Sequence, residues 1–193
     1  MAGALVWLGG CSSREVPAPA GRPVVEMNAD DRGFVEGTGI ESQDLVAVSD
    51  QMARSILAVP QIAQAQTPPV IVLDPVMNKT RFPISKDIFL TRLRTRLNAQ
   101  AAGKVQFLAR DRMAALQREH ELNAANGVAG PVAFKGADFI LTGALESIST
   151  RTSQGQSDYI LYSFQLIDAR TSVIVWEDAS EIKKQGLEDA AYR

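Results

Sequence analysis

The sequence predicts one α/β domain in which a βαβ unit and a three-stranded antiparallel meander share a single mixed sheet flanked by helices. Between Pro69 and Leu108, two apolar runs enclose a helical pattern, as in a strand, a helix and a parallel strand. Between Asp138 and Lys183, three long alternating segments are joined by short polar connections, as in successive hairpins. The chain has 193 residues, of which 46% are hydrophobic, so it can bury a core without disulfides or metals.

Three helices are predicted from apolar residues that recur at helical spacing. The first begins with Ser42 as its N-cap and ends at Pro60, the second is capped by Ser85 and spans residues 86–98, and the third covers 111–123. Their apolar stripes consist of Leu45, Val48, Met52, Ile56 and Val59 in the first helix, Ile88, Phe89, Leu93 and Leu97 in the second, and Met113, Leu116 and His120 in the third.

The two strands of the βαβ unit are short apolar runs. Residues 69–73 form a continuous run between turn signals, which is typical of a strand buried on both faces. Residues 104–108 form the second strand, and the connection between them is expected to be right-handed. Residues 74–81, which follow the first strand, are predicted to be a loop.

The meander is predicted from three strands at 138–149, 158–168 and 173–183. The connections at 151–157 and 169–172 are short and polar, so neighbouring strands should be antiparallel. The middle strand is apolar on both faces and should therefore be central. Its two faces consist of Ile160, Tyr162, Phe164 and Leu166 on one side and Tyr159, Leu161 and Ile167 on the other.

The N-terminal segment indicates where the protein resides. Cys11, the only cysteine, follows a short apolar run in Leu8-Gly9-Gly10-Cys11, which resembles the lipobox of bacterial lipoproteins. We predict a signal-peptide remnant at 1–10, a lipidated Cys11 with a flexible tether at 11–40, and a globular domain at 41–193. The tether would span about 30 Å as a random coil and about 100 Å when fully stretched. The alternative is a cytosolic protein whose first residues happen to be apolar.

Catalytic, metal-binding and nucleic-acid-binding functions have little support. With His120 as the only histidine and no G-x-S-x-G motif, neither a Ser/His/Asp site nor a His/Cys zinc site can be assembled. We interpret His120 as a buried or half-buried structural residue, and Glu177, Asp178 and Glu181 as part of a solvated sheet face. The formal net charge of −2 argues against a nucleic-acid partner. We therefore predict no enzyme activity, no metal and no cofactor.

Several segments together resemble a known family. They are Gly39–Leu45, Asn78–Thr80, Gly136–Gly143, Phe164–Asp168, Ile174–Trp176 and Glu181–Lys184. In this order and combination they resemble the LpoB family of outer-membrane lipoproteins, which activate class A penicillin-binding proteins. The resemblance extends from about residue 37 to residue 186.

The resemblance implies a regulator rather than a catalyst. A lipid on Cys11 would hold the protein at the periplasmic face of the outer membrane, and Ser12 after it fits sorting to that membrane. The domain, expected to be monomeric, would dock on an accessory domain of the synthase and stimulate glycan polymerisation and peptide crosslinking. The alternative is a secretion or assembly lipoprotein of the curli-secretion type.

Two surfaces are candidates for docking. One is a predicted exposed loop from Arg151 to Asp158, with Arg151, Gln154 and Gln156 as contact residues. The other is the basic face of the second helix, where Arg92 and Arg96 lie one turn apart. The simpler interpretation of this basic face is the solvent-exposed side of an amphipathic helix.

Overall fold

A computed structural model describes residues 26–31, 37–85, 87–128 and 134–187. Cys11 and the predicted signal segment lie outside the described residues, as does most of the predicted tether. The helices are α1 (Ser42–Leu57), α2 (Pro60–Ala63), α3 (Asp87–Ala101) and α4 (Met113–Ala125), which follows a single 3-10 turn at Arg110–Arg112. The strands are β1 (Val70–Leu73), β2 (Met77–Lys79), β3 (Gln106–Phe107), β4 (Phe139–Thr152), β5 (Gly155–Asp168) and β6 (Ile174–Gly186).

The described strands form one mixed sheet in the order β3-β1-β4-β5-β6. β1 is parallel to β3 on one side and to β4 on the other, and β4, β5 and β6 are successive antiparallel neighbours. This arrangement confirms the predicted fold class, including the βαβ unit and the meander. Within the meander, β5 is the central strand, as expected from its apolar residues on both faces.

One strand was missed by the sequence analysis. Residues 77–79, predicted to be loop, form β2, which pairs in parallel with residues 144–146 of β4. β1 pairs with residues 139–141 of the same strand, so β1 and β2 follow one another along one edge of β4. Because β2 has three residues and little apolar character, its pairing depends on the neighbouring strand rather than on a local sequence signal.

The core lies between one face of the sheet and the helices α1 and α3. From the sheet it takes Leu141 and Leu145 of β4 together with one of the two predicted faces of β5, that of Ile160, Tyr162, Phe164 and Leu166, which are 0–1% exposed. The ring of Phe89 on α3 lies 5.6 Å from that of Tyr162 at a tilt of 45°. These four residues share a face, as predicted, and the structure shows that this face points inward.

Two expectations about the helices were wrong. Ser42 is the first helical residue rather than the N-cap, because Glu41 and Asp44 form a reciprocal capping box in which the Glu41 amide donates to Asp44 Oδ2 at 2.9 Å. Ile88 is 50% exposed, because it points away from the stripe of α3 that faces α1, and Leu90 is buried instead.

The predicted apolar stripe of α4 does not reach the core. No residue of this helix is buried, and Leu116 is 37% exposed. His120 is half-buried, as predicted, and its ring stacks on that of Phe134 with the ring centres 5.1 Å apart.

Candidate docking surface

The end of the meander projects past the core as a β-hairpin. The predicted exposed loop from Arg151 to Asp158 is instead strand, because β4 continues to Thr152 and β5 begins at Gly155, with only Ser153 and Gln154 between them. We call residues 150–157 with the adjoining end of β6, residues 185–187, the hairpin tip. On β4 the alternating burial gives way to uniform exposure after residue 147, so the tip stands in solvent.

The hairpin tip brings together three of the five predicted contact residues. Arg151 on β4 is the direct cross-strand partner of Gln156 on β5, and Gln154 lies in the turn that joins the two strands. Arg151 and Gln154 are exposed, whereas Gln156 is half-buried. Within the described part of the chain Arg151 makes no ion pair, so its guanidinium is available to a partner.

A shallow groove of about 430 Å³ lies at the hairpin tip. Gly155, which has φ +137°, allows the strands to approach closely here, because a Cβ at this position would lie 2.6 Å from the carbonyl oxygen of Gly186. The groove is lined by Thr150, Thr152, Gln154, Gly155, Gln156, Ser157, Gln185, Gly186 and Leu187. None of these side chains is charged.

A buried carboxylate supports the base of the hairpin tip. Asp158 is fully buried and accepts hydrogen bonds from Arg81 Nη2 at 2.7 Å and Arg81 Nε at 3.1 Å. It also accepts bonds from Gln156 Nε2 at 3.0 Å and from the Ser149 hydroxyl. Burial raises the pKa of Asp158, but Arg81 and the other donors, including Thr38, outweigh that effect and hold the pKa well below its ordinary value.

A second charged cluster fixes the segment that leads into α1. Lys184 on β6 donates to Asp44 Oδ2 at 2.6 Å and to the carbonyl oxygen of Gly39 at 3.0 Å, and lies 3.1 Å from Glu41. Thr38 is itself buried and bonds to Asp158. The chain therefore enters the domain beside the base of the hairpin tip, in the part of the chain that the structure describes.

Arg92 and Arg96 lie on a different element, in the seam between α3 and α1. Arg96 forms a two-bond ion pair with Asp50 of α1, with Nε–Oδ1 and Nη2–Oδ2 distances of 2.6 Å, while Arg92 Nη2 lies 3.9 Å from Asp50 Oδ1. The hydrogen bond from Arg96 lowers the pKa of Asp50. Asp50 thus offsets much of the positive charge that these arginines could offer to a partner.

Three residues that organise the surface were not predicted from the sequence: Asp158, Arg81 and Lys184. One signal was available: Asp158 occupies the same strand face as Ile160 and Tyr162, where a charge requires a buried partner. The partner could not be inferred, because Arg81 lies 77 residues away in the chain.

The predicted solvated face of the sheet can be compared with the structure. Glu177 and Glu181 are exposed on β6, which confirms a solvated sheet face. Within the described ranges, no cluster of three or more His, Cys, Asp or Glu residues is arranged to hold a metal ion. In that same part of the chain, no helix combines the length and apolar character needed to cross a bilayer.

Comparison with known families decides the classification. The family model of the peptidoglycan-synthase activator LpoB matches residues 44–182, well over half of the chain. The chain belongs to the LpoB family. The predicted resemblance is thereby confirmed, and the family is one of outer-membrane lipoproteins that regulate peptidoglycan synthases rather than of enzymes.

Solved structures include LpoB domains among those similar to this chain. The LpoB C-terminal domain from Salmonella enterica has 15% identity and a TM-score of 0.47, with 72% of this chain and 98% of that one covered. The domain from Escherichia coli has the same identity and coverage and a TM-score of 0.40. Lipoprotein GNA1162 from Neisseria meningitidis has 17% identity and a TM-score of 0.38, with 64% and 88% covered. No curated protein matches the chain.

Proposed function

We propose that this LpoB-family chain binds a class A penicillin-binding protein and stimulates its glycan polymerisation and peptide crosslinking. The observation that carries the proposal is the match of residues 44–182 to the family of peptidoglycan-synthase activators. No observation favours the alternative of a secretion-type assembly. The partner domain would be an accessory domain of the synthase, and the chain would act as a monomer anchored in the outer membrane by a lipid on Cys11.

The hairpin tip supports the proposal as the docking surface. Arg151 offers an exposed guanidinium with five N–H donors, and arginine is among the residues that contribute most to protein interfaces. Its neighbour Gln156 is held in place by its bond to Asp158. A fixed contact residue loses little conformational entropy on binding, so the affinity is not reduced by ordering the tip.

Activation of this kind requires no catalytic residue in the activator. A regulator that binds the active conformation of the synthase better than the inactive one shifts the population toward activity, and a coupling of about 1–3 kcal/mol is typical. A lipid anchor with a tether would restrict the domain to a layer next to the membrane and so raise its local concentration near the synthase.

Binding to purified class A synthases from the same organism tests this proposal. The chain from Ser12 to Arg193, without lipid, should bind one of them saturably, and deletion of the synthase's accessory domain should abolish binding. Arg151→Glu should weaken binding about tenfold or more. The change removes an interface arginine and places a negative charge opposite the partner group that the arginine would contact.

Two matched variants locate the surface. Arg94→Glu changes the same charge on α3, away from both Asp50 and the hairpin tip, and should bind like the wild type. Arg92→Ala with Arg96→Ala tests the second predicted surface. If this pair weakens binding and Arg151→Glu does not, docking occurs at α3 rather than at the tip.

A further inference from the structure

The groove at the hairpin tip is lined by uncharged side chains. Its side chains carry hydroxyl and amide groups, and its two glycines leave backbone exposed. Arg151 belongs to the same hairpin, but residues next to one another on a strand point to opposite faces, so Thr150 and Thr152 face away from it. The outward side of the tip is therefore polar without being charged.

Two groove side chains are already bonded, since Gln156 Nε2 donates to Asp158 at 3.0 Å and Thr152 Oγ1 accepts from the Gln154 amide at 3.2 Å. The other contacts within the groove are long. Gln185 Nε2 lies 3.5 Å from Ser157 Oγ, and Thr152 Oγ1 lies 3.4 Å from the carbonyl oxygen of Gly155, both at the long limit for a hydrogen bond. Within the described part of the chain, the side chains of Thr150 and Gln154 make no hydrogen bond. Donors and acceptors in the groove are thus available to a ligand.

The available groups select a class of ligand. Amide and hydroxyl side chains both donate and accept hydrogen bonds, which matches a ligand rich in hydroxyl and amide groups. Among the described lining side chains none carries a charge, so an ionic ligand would lose its hydration without compensation from them. A purely apolar ligand would find only Leu187 among the lining side chains.

An aromatic side chain lies beside the groove on the outward face. Tyr159 and its cross-strand partners Ile148 and Lys183 form the row next to that of Thr150, Ser157 and Gln185, and the charged Lys183 lies at the far strand of this row. Tyr159 is half-buried, and its hydroxyl interacts with Glu181. Aromatic rings beside amide and hydroxyl groups offer an apolar surface to the C–H face of a sugar ring.

We propose that this groove is a binding site for a neutral glycan strand, which lies across the outward face of the hairpin tip with one sugar beside Tyr159. The side chains of Arg151 and Gln156 point to the inward side of the tip, which stays free for the synthase, while Gln154 in the turn borders both surfaces. The site itself depends only on the groove.

Nuclear magnetic resonance titration of the labelled chain from Ser12 to Arg193 tests the site. The probes are two neutral oligosaccharides, chitotetraose and cellotetraose, which differ in whether they carry N-acetyl groups. We expect saturable shifts at the groove residues. Thr150→Ala and Gln185→Ala should each weaken binding about fivefold, as expected for loss of one neutral hydrogen bond. Gln117→Ala, on exposed α4, is the matched control and should bind like the wild type.

The outcomes separate this inference from the proposed function. Absence of saturable binding by both sugars, or equal binding by the wild type and both groove variants, overturns the glycan site even if the synthase is activated. Shifts at the groove caused by the synthase and not by any sugar also overturn it. Glycan binding without synthase binding would support the site and contradict the proposed function.

Discussion

At the scale of single residues, the main feature is a charge buried where the strand pattern calls for an apolar side chain. Asp158 lies on the inward face of β5 and receives bonds from Arg81, Ser149 and Gln156, which come from three parts of the chain. An unpaired carboxylate in this position would be strongly destabilising, so these donors are needed for folding. Through its bonds to Arg81, the carboxylate also joins the loop after β2 to the base of the hairpin tip.

Replacing Asp158 by Asn should lower stability and change its dependence on pH. The pKa of Asp158 is lowered from its ordinary value of 3.8 in the folded state, so its contribution is present above about pH 4 and is lost as the pH falls below that value. We expect Asp158→Asn to reduce the free energy of unfolding at pH 7 by about 2–3 kcal/mol. The loss of stability below pH 4 should be shallower in the variant.

Urea denaturation between pH 3 and pH 7 measures both effects. Asp74→Asn is the control, because Asp74 is exposed and its carboxylate has no bond in the described part of the chain, so it should change stability by less than about 0.5 kcal/mol. An Asp158→Asn variant as stable as the wild type at pH 7 would show that the buried network contributes little.

At the scale of elements, β4 connects the core to the hairpin tip, and its glycine determines how closely it approaches β5. A Cβ at Gly143 would lie 2.5 Å from the carbonyl oxygen of Ser163 and 2.6 Å from Cδ1 of Phe164, which is itself buried in the core. Neither the backbone nor the packed ring can move away without disturbing the sheet.

Gly143→Ala should therefore be destabilising by about 1–3 kcal/mol, the usual cost of overpacking a core. Gly136→Ala is the matched control, because a Cβ there meets no atom within 4 Å, and it should be close to neutral. Thermal or urea unfolding of the two variants is the measurement. Equal stability of the two would mean that the contact at Gly143 relaxes at no cost.

Elements with strong local signals were predictable, and those that depend on distant partners were not. The inward face of β5 follows from strict alternation, and the end of α1 near Pro60 follows from the chemistry of proline. β2 has no alternation to detect, since it exists through pairing with β4. The strand ends at Thr152 and Gly155 were read as loop because they are polar, although their backbone pairing continues into solvent.

The same reasoning applies to the candidate docking surface. The three tip residues were predictable as polar positions between two strands, whereas the bonds at the base of the tip join Arg81 to Asp158, which are far apart in sequence. The pairing of Arg92 and Arg96 with Asp50 required knowledge of which face of α3 meets α1. Helical spacing shows that residues share a face but not which neighbour that face contacts.

At the scale of the whole molecule, the first residues of the domain lie beside the proposed docking surface. Thr38 and Gly39 are bound to Asp158 and Lys184, so the chain enters beside the base of the hairpin tip. A force transmitted through the predicted tether would therefore act next to the proposed docking surface. The helices α1 and α3 pack on the opposite side of the sheet from the outward face that carries the groove.

The rate at which a class A penicillin-binding protein from the same organism polymerises and crosslinks lipid II tests the central claim most directly. The unlipidated chain from Ser12 to Arg193 should accelerate at least one such synthase saturably and show no turnover by itself. If every class A synthase of the organism runs at its basal rate at saturating concentrations of the chain, the chain is not an activator of these enzymes.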